Sequence, residues 1–193
     1  SCQEDSTLAI ASTGEGEGDA SWWAWSMKFP ADYQGAKSWG TVIEFVPPSW
    51  LWPNYSMLSL DAGSPDALTL VWHTGFTPDP GSGSYHSAYE RRVALLGPEG
   101  AAPHPFTKNR WLDFYLHVVW KSRTDGVCEL WYRQEGETRF TKLYSNLPDG
   151  QALIQVAPHP TLLYNKRYGA PGEEDKAGLR LVLSIRNSGG KGQ

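Results

Sequence analysis

The sequence predicts an antiparallel all-β sandwich with almost no helix. Three observations lead there. Fourteen Pro and twenty Gly interrupt the 193-residue chain at short intervals, too close together for helices of ordinary length. The segments between them alternate, or run apolar, for five to nine residues, the spacing of sandwich strands. Aromatic residues reach 13%, with ten Trp, nine Tyr and six Phe, and flat, stiff side chains suit a pleated, half-buried surface.

Taken in order, the expected strands are Thr7–Ser12, Trp22–Phe29, Gly40–Val46, Ser56–Asp61, Ala67–His73, Glu90–Leu96, Leu112–Lys121, Val127–Arg133, Thr138–Tyr144, Thr161–Tyr168 and Gly178–Arg186. Glu15 to Asp19 reads as a polar loop, and Asp61–Asp66 and Thr124–Gly126 as hairpin turns. Pro78–Gly83 and Gly97–Pro105 are Pro/Gly-rich loops. The ends, 1–6 and 188–193, are expected to fray. No internal repeat or linker divides the chain, so residues 1–193 form one domain.

Composition narrows the function. At 40% hydrophobic and 20% charged, the chain can bury an ordinary core. No apolar run approaches the roughly 20 residues that cross a bilayer, so no membrane partner is expected. The net charge is −4, without the basic excess of a nucleic-acid binder. Its distribution is uneven. Residues 1–96 hold four basic and eleven acidic groups, and residues 97–193 hold thirteen and ten. The second half can therefore present a basic patch to an acidic ligand. Polar residues 1–5 show no signal peptide, as would a mature secreted chain after processing.

Cys2 and Cys128 allow one disulfide and give no metal signature. Cys128, in a strand-like run, reads as a buried thiol, with a bridge to Cys2 as the alternative outside the cell. No His pair has zinc spacing. No metal or cofactor is expected, and only a structural Ca²⁺ on a sandwich edge stays open. P-loop, dinucleotide, G-x-S-x-G and H-E-x-x-H motifs are absent.

The candidate chemistry lies on strand faces. In Leu112–Lys121, one face is apolar and the other carries Tyr115, His117, Val119 and Lys121. In Val127–Arg133, Glu129, Trp131 and Arg133 alternate with apolar positions. Thr161–Tyr168 sets Tyr164, Lys166 and Tyr168 at spacing two, beside Arg167. A soluble strand face is the plain alternative in each case. Imidazole, phenol and cation together suit β-elimination from a uronate polymer. A cation neutralises the carboxylate, a base takes the C5 proton, and an acid protonates the departing oxygen. Nearby Lys or Arg prepares a Tyr for either job. His73, next to Trp72, is a further candidate base. His86 reads as a loop residue, and His104 and His159, each beside Pro, likewise.

Four stretches resemble the jelly-roll polysaccharide lyases of the heparin lyase I type, and more distantly alginate and glucuronan lyases. They are SWWAWSMKFPADY (21–33), WGTVIEF (39–45), RWLDFYLHVVWKSRTDGVCELWYRQEG (110–136) and TLLYNKRYG (161–169). They stand in the family's order, and the hairpin 110–136 is the most specific. The resemblance implies a concanavalin A-like jelly roll with a concave ligand-binding sheet. It also implies a secreted, extracellular or periplasmic monomer that cleaves an acidic polysaccharide. Tyr168, His117, His73 and Lys166 would be catalytic. Arg167, Tyr164, Arg133, Trp131, Tyr115, Lys121, Trp72 and Glu44 would bind substrate.

The sequence departs from that pattern twice. The family's Gln and His are missing from Val42–Pro47. With Lys166 as the motif Lys, Tyr168 stands where Gly is expected and Ala170 where Tyr is expected. Either Tyr168 serves or the acid/base Tyr is gone. The alternative function is accordingly a lectin-like carbohydrate-binding module. A third reading, glycoside hydrolysis by Glu44 and Glu129, requires those carboxylates to face each other across a cleft.

Overall fold

The computed structural model describes residues 6–9, 18–33, 40–46, 58–62, 67–77, 89–97, 102–121, 123–148, 150–161, 163–165 and 180–187. No helix occurs among them. The strands are β1 (Ser6–Ala9), β2 (Ala20–Lys28), β3 (Gly40–Val46), β4 (Leu58–Ala62), β5 (Leu68–Thr77), β6 (Tyr89–Gly97), β7 (His104–Pro105), β8 (Trp111–Val119), β9 (Val127–Gln134), β10 (Thr141–Ser145), β11 (Ile154–Gln155), β12 (Leu163–Asn165) and β13 (Arg180–Asn187). Each strand expected from the sequence is present. Two-residue β7 and β11 are additions, and β7 lies inside the stretch read as a loop. They pair in parallel with β6 and β10.

Two sheets form. An eight-stranded sheet runs β1-β13-β3-β4-β5-β6-β7, with β12 on β5, and a five-stranded sheet runs β11-β10-β9-β8-β2. Alternation directs one face of each strand inward. Ile43, Phe45, Leu68, Leu70 and Trp72 from the first sheet meet Phe114, Leu116, Val118, Trp120, Leu130 and Tyr144 from the second. Phe45 links the sheets through tilted ring contacts to Trp23 and Trp120 at 5.5 and 5.4 Å.

The turn before β9 depends on Gly126. A Cβ there would run into the side chain of Thr161. Thr161 is needed where it is: its Oγ1 donates to Val119 O at 2.6 Å and accepts from Lys121 N at 2.9 Å. Asn146 closes the same corner, donating from Nδ2 to Gly126 O and accepting Cys128 N–H. Cys128 is a fully buried free thiol. Burial, reinforced by the neighbouring Glu129 carboxylate, pushes its pKa well up, which keeps it protonated and inert.

His159 lies in the loop between β11 and β12, as its flanking prolines suggest, but its side chain is part of the core. It is 1% exposed, and its ring centroid lies 4.9 Å from that of Trp72. Nδ1–H donates to Pro160 O at 2.7 Å, so Nε2 accepts from Tyr144 OH at 2.8 Å. Burial lowers its pKa to about 4. The unfolded chain therefore takes up this proton near pH 6.5, whereas the folded protein resists until about 4. The His159 contribution is complete above pH 6.5 and is lost as pH falls to 4, at up to about 1.4 kcal/mol per unit. Thermal melts between pH 7 and 4 should show this slope in the wild type. The slope should be shallower in His159→Gln, and equal slopes would remove His159 as the titrating group.

Candidate functional site

Most of the described residues singled out by sequence separate onto opposite outer faces of the sandwich. On the eight-stranded sheet, Leu70 and Trp72 point into the core, so Val71 and His73 point away from it. Glu44 points away likewise, between core residues Ile43 and Phe45. Glu44 pairs with Ser59, Ser59 with Val71, and Val71 with Arg92, in one row across β3, β4, β5 and β6. His73 follows one step along, opposite Glu90. Although this face looks outward, Glu44 is 5%, Val71 1% and His73 9% exposed.

β5 also runs past its neighbours. Its ladder with β4 stops at Trp72 and that with β6 at Thr74. The overhang Gly75–Thr77 pairs in parallel with Leu163–Asn165 of β12. Thr74 Oγ1 adds a hydrogen bond to Pro160 O at 2.7 Å, just before that strand. The backbone of Tyr164 thus sits beside Phe76, and Lys166, Arg167 and Tyr168 follow directly in sequence. Those three residues, and the Tyr164 side chain, lie outside the described residues.

The five-stranded sheet carries the other set. Trp23, Trp25 and Met27 pack inward, leaving Trp22, Ala24, Ser26 and Lys28 outward. Trp22 pairs with His117 and His117 with Glu129. The Trp22 and His117 rings stack at 4.2 Å and 9°, and Trp131 lies 5.6 Å from Trp22 at 23°. Glu129 holds both neighbours. Its Oε2 is 3.1 Å from His117 Nδ1, and its Oε1 accepts from Lys142 Nζ at 2.7 Å. Lys142 Nζ stands 5.2 Å from the Trp131 ring centroid. Tyr115 pairs with Trp131 and packs on Phe140 at 4.6 Å. Beyond it, Asp113 accepts from Ser26 Oγ at 2.7 Å and from Arg133. Those bonds, Ser26 first, lower the Asp113 pKa.

Several expectations are corrected by this arrangement. His117, Trp131, Tyr115 and Arg133 cannot share a groove with His73, because the hydrophobic core separates the two outward faces. Trp72 is 0% exposed within that core and offers no ring face to a ligand. Lys121 lies past the end of β8, half-buried, with its backbone N–H held by Thr161. Glu44 and Glu129 occupy different sheets and point in opposite directions, so no cleft lies between them and a hydrolase pair is overturned. Among the described residues, no three His, Cys, Asp or Glu side chains gather as a metal site requires. Sequence reading passed over Trp22, whose parity opposes core-facing Trp23 and Trp25, and Lys142, whose partner Glu129 is on another strand.

Two packed, mainly antiparallel sheets define a jelly-roll sandwich. The particular family follows from sequence. Residues 9–155 match the family model described as Polysaccharide lyase, and the chain belongs to that family. Among solved structures, the endo-β-1,4-glucuronan lyase from the fungus Trichoderma reesei is similar with a TM-score of 0.56 at 10% identity. The alignment covers 95% of this chain and 63% of that one, so this chain spans less than two thirds of the fungal protein. The marine PL-14 alginate lyase from Aplysia kurodai aligns over 94% of this chain and 81% of its own, at 12% identity and a TM-score of 0.44. No curated protein matches this chain in sequence.

Proposed function

We propose that the protein cleaves a uronate-containing polysaccharide by β-elimination on the outward face of the eight-stranded sheet. The observation that carries this reading is the pairing of β12 with the overhang of β5. It brings the strand leading into Lys166, Arg167 and Tyr168 alongside the strand of His73. Family membership supports the reaction class. The substrate class is that named for the glucuronan lyase of similar fold.

Each residue has a role set by the chemistry. His73 is the base for the C5 proton and Tyr168 the acid for the departing glycosidic oxygen. Lys166, Arg167 and Arg92 offset the uronate carboxylate and make its α-proton removable. Glu44, in one row with Arg92 across β3 to β6, shapes the far side of the groove. Chemistry on such polymers places the protein outside the cell or in the periplasm. The finer likeness to heparin lyase I rests on the hairpin 110–136.

The test is absorbance in the ultraviolet during incubation with heparin, heparan sulfate, hyaluronan, chondroitin sulfate, alginate and glucuronan. Elimination leaves a conjugated unsaturated uronate, whereas hydrolysis and binding leave none. A rise with one polymer is expected. A flat trace from folded protein across the panel would sink the lyase reading in favour of a binding module.

A further inference from the structure

We infer that the outer face of the five-stranded sheet is a second polysaccharide-binding surface, separate from the groove, with Trp22 as its stacking platform. The polymer's identity rests on the function proposed above; the surface rests on its own geometry.

Trp22 is 63% exposed, the largest side chain on that face to stand so far into solvent among the described residues. It is nevertheless fixed in place. One ring face lies on His117 at 9°. His117 is held by Glu129, and Glu129 by Lys142, which in turn caps Trp131. A ring immobilised by such a relay gives up little rotamer freedom on binding. Pyranose rings present flat C–H faces that an aromatic plane accepts. Small Ala24 next to Trp22 on β2 leaves the ring edge uncrowded, and Tyr115, 42% exposed, continues the aromatic track on β8. Residues two apart on a strand face stand about 7 Å from each other, so successive rings can meet successive sugars.

On this face Asp113 pairs with Arg133 and Glu129 with Lys142, so stacking rather than charge carries the contact. At the far end, Trp111, Ser26, Asp113 and Arg133 line an open depression with Glu135 and Glu137. Trp111, 48% exposed there, gives the track a second end. A platform of this kind would keep a long chain on the enzyme while the opposite face reacts.

Native electrophoresis through gels containing glucuronan, alginate or heparan sulfate tests the inference, using wild type, Trp22→Ala, Trp22→Tyr and Tyr115→Ala. Retardation of the wild type is expected in at least one gel. Trp22→Ala should weaken the apparent affinity by about tenfold, Tyr115→Ala by less, and Trp22→Tyr should keep most of it. Thermal melts verify folding, and if Trp22→Ala melts early, Tyr115→Ala decides. Wild type that runs unretarded in every gel overturns the inference, as do alanine variants retarded like wild type. The two readings fail separately. Trp22-dependent retardation with no ultraviolet product sinks the lyase and keeps the surface. Product formation with Trp22-independent retardation does the reverse.

Discussion

Tyr168→Phe is expected to lower turnover of the cleaved uronate polymer by about 10²–10⁴-fold, the range of one general acid or base. The substitution removes a single oxygen, so the melting temperature should stay within about 2 °C of wild type. The expected signature is a loss in kcat with little change in KM, because the phenol acts on the departing oxygen as the bond breaks. His73→Ala should give a loss of similar size, through the proton at C5. His117→Ala should not, since His117 lies across the core from β12 and pairs with Trp22 and Glu129. Full activity in Tyr168→Phe would remove Tyr168 from the mechanism and leave the acid to another group near the β5 overhang.

Trp72→Ala is the substitution with the largest expected effect on stability. Trp72 is fully buried, pairs with Leu58 and Arg91 in its sheet, and packs against His159. Its removal leaves a cavity between the sheets and costs about 3–5 kcal/mol. For a domain of this size that corresponds to a fall in melting temperature of roughly 6–20 °C, readable by calorimetry. The contrast with Trp22→Ala is informative, because an exposed side chain away from the core changes stability by about 0.5 kcal/mol or less. A Trp72→Ala protein that melts like wild type would contradict its place in the core.

The strands were legible because alternation is a local signal. Gly40–Val46 appears with the bounds that its sequence suggests, and β8 and β9 differ by a residue or two at their ends. β7 and β11 were not legible. Two residues cannot display a period, and both exist only because β6 and β10 offer an edge. The burial of His159 was not legible for a related reason. A His between two prolines has the composition of a loop, and only Tyr144 and Trp72, distant in sequence, make it a core residue.

The candidate site divides along the same line. By itself the sequence determined the sandwich, the apolar face of each strand, and the outward companions of each candidate: Tyr115 with His117, Glu129 with Trp131 and Arg133. A period of two needs only neighbours along the chain. The tertiary structure alone decided which of these faces lie together. β13 pairs with β3, β8 with β2, and β12 with β5, through hydrogen bonds between segments far apart in sequence. Those pairings set His73 and His117 on opposite sides of a hydrophobic core, because each sheet can turn only one face inward and must leave its polar face to solvent or ligand.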